Sequence, residues 1–181
     1  MNTEYGLGVH TLCMVMGMTY VAIHLVVTDP DAAADWYRRA FGATEVSRLS
    51  TPAGQTFTVE LRLGGTTLAV AGEMPDRRML APATLDATSA AFHIAVTDVD
   101  AAWATAMAAG AVEYQPVHDA FWGERTGQLL DPFGHRWALN QHLRDVPADE
   151  LQRQVDALFG GVPQAPAETT RSAEPQAAAA G

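Results

Sequence analysis

Two short stretches of the chain alternate apolar and polar side chains and then break at an aspartate. Residues 22–33 read AIHLVVTDPDAA and residues 91–102 read AFHIAVTDVDAA, with eight of twelve positions identical at a constant offset of 69. In the first, Ile23, Leu25 and Val27 point one way and Ala22, His24 and Val26 the other; in the second, Phe92, Ile94 and Val96 oppose Ala91, His93 and Ala95. Period two predicts a strand with two distinct faces. Asp29 and Asp98 then stand where a side-chain oxygen caps the free amides of a helix start. Helices are predicted over about 31–41, with Ala34, Trp36, Tyr37 and Phe41, and over about 100–109, stopping at Gly42 and Gly110. Three strand-like segments follow each helix: 44–49, 56–63 and 66–71 in the first copy, 112–117, 124–130 and 135–141 in the second. Gly64-Gly65 makes a hairpin turn, and Asp131-Pro132-Phe133-Gly134 fits a type I turn, with proline second and glycine fourth. The pattern is βαβββ, written twice.

The flanks read differently. Residues 147–160 place Leu151, Val155 and Leu158 at helical spacing behind Pro147 and Asp149, which predicts a short helix capping the domain. Residues 161–181, rich in Ala, Pro, Gly and small polar residues, lack the apolar surface to offset their ordering entropy and are expected to be a disordered tail. Residues 1–17 are expected to be a poorly ordered extension; the first 23 residues hold no Lys or Arg, so they lack the basic start of a secretory signal. The expected organisation is one domain over 18–146: module one 18–72, linker 73–89 and module two 90–146.

Composition narrows the partners. With 181 residues, 48% hydrophobic and 18% charged, the chain has globular proportions. Its 11 Lys+Arg against 21 Asp+Glu give a formal charge of −10, a surface that repels phosphate backbones and anionic lipid. Neither nucleic acid nor a membrane is therefore expected as partner. No stretch of about 18 apolar residues occurs. The single cysteine, Cys13, excludes an internal disulfide and fits a reducing cytoplasm; no basic neighbour activates it as a nucleophile. Glycine-rich phosphate loops, GxSxG elbows and HExxH motifs are missing.

The duplicated unit, the junctions TDPDAAADWY and TDVDAAW, and the segment FWGERTGQLLDPFGHRW resemble the vicinal oxygen chelate superfamily of glyoxalases, bleomycin-resistance proteins and dioxygenases over about residues 20–145. The segment 121–137 is most similar to its PhnB-like branch. The resemblance implies an α+β fold, in which two tandem βαβββ modules form a curled, cup-shaped mixed sheet, and it implies a homodimer. In metal-dependent members four cup-facing positions supply His and Glu ligands. Counting from the acidic turns and the turn glycines, those positions here are Ala22, Ala69, Ala91 and Ala138. A methyl group donates nothing to Zn²⁺, Ni²⁺ or Fe²⁺, so neither metal nor other cofactor is expected at the usual centre. A register two residues away keeps the facing and would substitute His24 and His93.

Three roles stay open for His24 and His93: partners of the sheet, pocket walls that bond a ligand or act as acid and base, or ligands of a displaced divalent metal together with Glu60. Glu60 and Arg62 share the polar side of the third strand with Thr56 and Thr58, opposite Phe57, Val59, Leu61 and Leu63. Arg136, Asn140 and His142 share the side of Ala138. Arg136 either grips a carboxylate or phosphate or pairs with Glu124 or Asp131, the structural pairing being slightly favoured. Trp122, in Phe121-Trp122-Gly123, is either a stacking wall or a plug. The ligand-binding set is thus His24, Glu60, Arg62, His93, Trp122, Arg136 and Asn140, and the acid–base set is His24, His93 and Glu60. Trp36, Tyr37, Trp103 and Trp137 are expected in the core, and Asp131 and His135 at the turn.

The four alanines make a metal-independent binding protein, sequestering a drug-like or hydrophobic metabolite, the leading expectation. The alternative is a lyase or isomerase working through His24 and His93. The expected partners are a small-molecule ligand and a second copy of the chain.

Overall fold

A computed structural model describes residues 21–160. The extension 1–17, Cys13 and the tail 161–181 lie outside the described residues. The first module runs β1 (Ile23–Val27), α1 (Pro30–Phe41), β2 (Thr44–Ser50), β3 (Thr56–Leu63) and β4 (Thr66–Gly72). A 3₁₀ turn at Pro75–Arg77 and a one-turn helix, α2 (Pro82–Leu85), interrupt the linker. The second module repeats the order with β5 (Ala91–Ala95), α3 (Val99–Ala108), β6 (Val112–Asp119), β7 (Glu124–Leu130) and β8 (Arg136–His142). The sheets are four-stranded, ordered β1-β4-β3-β2 and β5-β8-β7-β6, curled but not closed. In each, the first strand pairs parallel with the last and the other ladders are antiparallel. This is the α+β, twice-written βαβββ architecture read from the sequence. A separate unit holds α4 (Ala148–Phe159), amphipathic and stitched by Arg153–Asp149 at 2.6 Å.

The aspartates act as expected. Asp29 accepts from the amides of Asp31 and Ala32, and Asp98 from that of Ala101, each at 3.0 Å. Gly42 closes α1 in the left-handed region (φ 69°), where a side chain would be strained. The Asp131–Gly134 turn closes with the Gly134 amide on the Asp131 carbonyl at 3.0 Å.

The apolar sides of both sheets meet the helices in one core. Leu25, Val27, Val59, Leu61, Leu68 and Val70 from the first module join Leu129, Trp137 and Leu139 from the second, around Trp36 and Tyr37 of α1. Aromatic rings fill the seam: Phe41 lies 5.0 Å from Trp137, and Tyr37 lies 5.7 Å from it. Trp36 donates its indole N–H to the Ala109 carbonyl at 3.0 Å. Helix α1 therefore belongs to both modules. Trp103 packs against this core and presses on Gly127, where a Cβ would fall 2.8 Å from Val117 and 2.9 Å from the Trp103 ring. That close approach explains a glycine in mid-strand.

The linker, expected as a plain loop, is built. The Ala81 amide donates to Glu73 Oε1 at 2.7 Å, Met74 and Met79 form an isolated antiparallel bridge, and the Ala83 amide donates to the Phe133 carbonyl at 3.1 Å. The last bond ties the linker to the turn of the second module.

Candidate functional site

Each sheet has one side left over once its apolar residues are committed to the core. On the first, His24 pairs in register with Ala69, and Ala69 pairs on its other edge with Glu60. On the second, His93 pairs with Ala138, and Ala138 with Gln128. The matched rungs are thus His24–Ala69–Glu60 and His93–Ala138–Gln128. Ala22 precedes β1, and Ala91 pairs with Arg136, so these two alanines lie on the expected side but off the rungs of Ala69 and Ala138. The histidines, not Ala22 and Ala91, stand beside the last-strand alanines.

The rungs resemble each other in position and differ in chemistry. One rung along, Thr58 pairs with Ala71 in module one, and Thr126 with Asn140 in module two. Thr126 donates to Asn140 Oδ1 at 2.6 Å, and Asn140 Nδ2 donates to His93 Nδ1 at 2.9 Å. In that bond His93 Nδ1 is the acceptor, which orients the ring and places its N–H at Nε2. Alanine at 71 gives His24 no such partner, and Thr58 instead donates to the Val70 carbonyl at 3.1 Å. Partial burial lowers the His24 pKa below the usual imidazole value, because the charged ring loses hydration there.

Module one holds a hollow. A cavity of about 280 Å³ is lined by Phe57, Ala69, Ala71, Met74 and Met79, with His24, Thr58 and Arg77 as its polar residues. Phe57, expected on the helix side of its strand, lines this hollow at the strand's entry. Met74, Arg77 and Met79 come from the linker, where no periodicity signalled them. The small volume of Ala69 and Ala71 makes the room. Glu60 is held by the Ser47 hydroxyl at 3.1 Å, and Arg62 has no partner among the described residues.

Module two is polar instead. Gln128 donates to Gln115 Oε1 at 3.0 Å, while Ala138 beside it is only 1% exposed. Arg136 pairs with neither Glu124 nor Asp131, which corrects the favoured structural pairing. Glu124 accepts from the Trp122 indole at 2.9 Å. Asp131 is turned to the core, accepting from Tyr37, from Trp137 and from two backbone amides. Arg136 lies over the Tyr114 ring at 4.8 Å. Trp122 is 43% exposed and packs edge-on against Phe121, so as placed it does not plug a cavity.

The three acid–base residues do not converge: His24 and Glu60 flank Ala69 in one module, and His93 belongs to the other. Among the described residues no group of three or more His, Cys, Asp or Glu side chains is arranged to hold a metal ion. No helix among them is long and apolar enough to cross a membrane.

Known proteins place this geometry. An uncharacterized protein of Mycobacterium tuberculosis is 39% identical over 141 residues, spanning 76% of this chain and 83% of that protein. TioX from Micromonospora sp. ML1 is 31% identical in sequence and superposes with a TM-score of 0.56, over 70% of this chain and 100% of its own. TnmS3, described as an antibiotic binding protein from Streptomyces sp. CB03234, shares the fold at a TM-score of 0.52 and 23% identity, over 70% of this chain and 98% of its own. Residues 17–139 match the family described as Glyoxalase/Bleomycin resistance protein/Dioxygenase superfamily. Two curled βαβββ modules matched over that length make this chain a member of that superfamily.

Proposed function

We propose that the protein is a metal-independent small-molecule binder, acting as a homodimer in the cytoplasm and belonging to the PhnB-like branch of its family. The observation that carries this reading is the alanine-floored hollow beside His24, whose walls are thioether, phenyl and methyl groups. Such a lining desolvates an apolar ligand and leaves a few polar groups to orient it. At about 280 Å³ it takes a one- or two-ring molecule, or the apolar part of a larger one. Two things support the metal-independent part of the reading: alanines stand at the positions the resemblance implies for ligands, and the His24–Ala69–Glu60 rung brings together two donors, not three. TnmS3 supports the reading as an antibiotic binding protein on the same fold.

The test is a thermal-shift screen of apolar ligands, followed by methionine-methyl NMR. Binding that shifts the Met74 and Met79 methyl signals supports sequestration. Stoichiometric Zn²⁺, Ni²⁺ or Fe²⁺ in the purified protein, lost on changing His24 and His93 to alanine, would sink it.

A second reading, a lyase or isomerase using proton transfer, is favoured by one observation. His24, kept neutral by burial, and Glu60 face each other across Ala69. A ligand lying over Ala69 would meet a base on one side and a carboxylate on the other. Solvent-deuterium exchange into a bound ligand, abolished by His24→Ala while affinity persists, separates this reading from pure binding.

A further inference from the structure

We propose that the polar side of module two receives an oxyanion, a carboxylate or phosphate, carried by the ligand, with Arg136 as its receptor. The inference rests on the small-molecule reading above and adds the chemical class of ligand. Most arginines with a described partner are spoken for by carboxylates: Arg38 by Asp35, Arg48 by Asp31 and Glu45, Arg125 by Asp100 and Asp119, Arg153 by Asp149. Arg136 is different. It makes no ion pair or hydrogen bond with any described residue, and its Nε is buried without an acceptor. Its one described contact is the face of Tyr114.

Arg39, Arg62, Arg77 and Arg78 also lack a described carboxylate, but they are exposed and water serves them; a buried guanidinium nitrogen without an acceptor needs a reason. Acidic residues near it in sequence or register are engaged or turned away. Glu124 holds Trp122, Asp131 is bound in the core, and Glu113 pairs in register with the core-facing Leu129. The neighbours on its own side, Tyr114, Gln128 and Ala138, are neutral. A guanidinium lying over a ring keeps its in-plane N–H donors, the geometry that takes an oxyanion two oxygens at a time. Beside it, one strand over, Gln128 Oε1 is a second buried atom without a partner, an acceptor for a hydroxyl or N–H next to the anion. Donor and acceptor together describe a hydroxy acid, an acylated amino acid or a phosphate ester better than a plain hydrocarbon.

The test follows the Arg136 Nε–H signal in ¹H–¹⁵N spectra of the intact protein, assigned by its loss in Arg136→Gln. Mandelate, phenyl phosphate and mandelamide are titrated in turn. The expected result is a saturable shift with mandelate or phenyl phosphate, the stronger of the two naming the oxyanion, and binding of mandelamide weaker by about tenfold or more. Tyr114→Leu keeps the charge but loosens the plane, and should weaken the anion by about threefold. A silent Arg136 with both anions at tens of millimolar, or equal binding of mandelamide, overturns the proposal. The two readings fail separately: neutral binders found in the screen with Arg136 silent remove only the oxyanion, while saturable anion binding at Arg136 with no ligand in the hollow removes only the sequestration.

Discussion

Tyr37 donates its hydroxyl to Asp131 Oδ2 at 2.6 Å, joining the helix of the first module to a turn of the second. The same oxygen accepts the Trp137 indole N–H at 2.9 Å, and the other accepts the amides of Phe133 and His135 at 2.9 Å each. One buried carboxylate therefore ends four donors. Tyr37→Phe removes one bond to a charged acceptor and should cost about 1.5–3 kcal/mol. Asp131→Ala strands all four donors and should cost more. Urea unfolding measures both, and an Asp131→Ala protein as stable as its parent would contradict this account.

The same pair contributes a pH dependence to stability at both ends of the range. Burial works to raise the Asp131 pKa, but His135, Tyr37 and Trp137 together hold it below the usual carboxylate value. A carboxyl depressed in the folded state contributes stability above its unfolded pKa of about 4, lost as pH falls through the folded value. For Tyr37, burial first and the Asp131 charge second push the hydroxyl well above its usual value. Its contribution is present below an unfolded pKa of about 10 and is lost as pH rises towards the folded value. Unfolding midpoints should thus form a plateau with two falling limbs. Asp131→Asn should flatten the acid limb, and Tyr37→Phe the alkaline one.

Filling the hollow should stop binding without unfolding the protein. Ala69 is partly exposed, so Ala69→Phe projects a ring into the cavity rather than into the core. Its melting temperature should stay near that of the parent, while ligands that shift the Met74 and Met79 methyls lose their effect. Retained affinity in Ala69→Phe would place the ligand elsewhere.

Gly127→Ala makes the opposite trade. The new methyl would meet Val117 and the rigid Trp103 ring at under 3 Å, so overpacking should cost about 1–3 kcal/mol, read by thermal melting, with no direct loss at the hollow.

The histidines should be distinguishable by NMR. His24 should titrate with a midpoint below the usual imidazole value. The nitrogen shifts of His93 should report the Nε2–H tautomer, and Asn140→Ala should release it. A His93 that samples both tautomers equally in the parent protein would refute the Thr126–Asn140 relay.

Much of this was legible in residues alone, for a physical reason. The repeats at 22–33 and 91–102 carry period-two faces and aspartate caps, both local signals, so strands, helix starts and the outward side of His24 and His93 follow directly. Alanines at 69 and 138 were likewise legible as small side chains on the face of the two histidines. Other features depend on what meets in space. Whether Arg136 finds a carboxylate is decided by Trp122 claiming Glu124 and by Tyr37 and Trp137 turning Asp131 inward. The linker turns at 75–77 and 82–85 have no apolar period to betray them, because bonds to Glu73 and Phe133 shape them. The same holds for Met74 and Met79, which look like loop residues until the strands beside them form.

The wall that Met74, Arg77 and Met79 give the hollow belongs to a segment outside either sheet's ladder. Substitutions there change the room offered to a ligand while leaving strand register and the aromatic seam untouched. In a binding protein built this way, natural selection can redraw what is recognised along a path that hardly crosses foldability. Descendants of one ancestral chain can diverge in preference faster than in architecture.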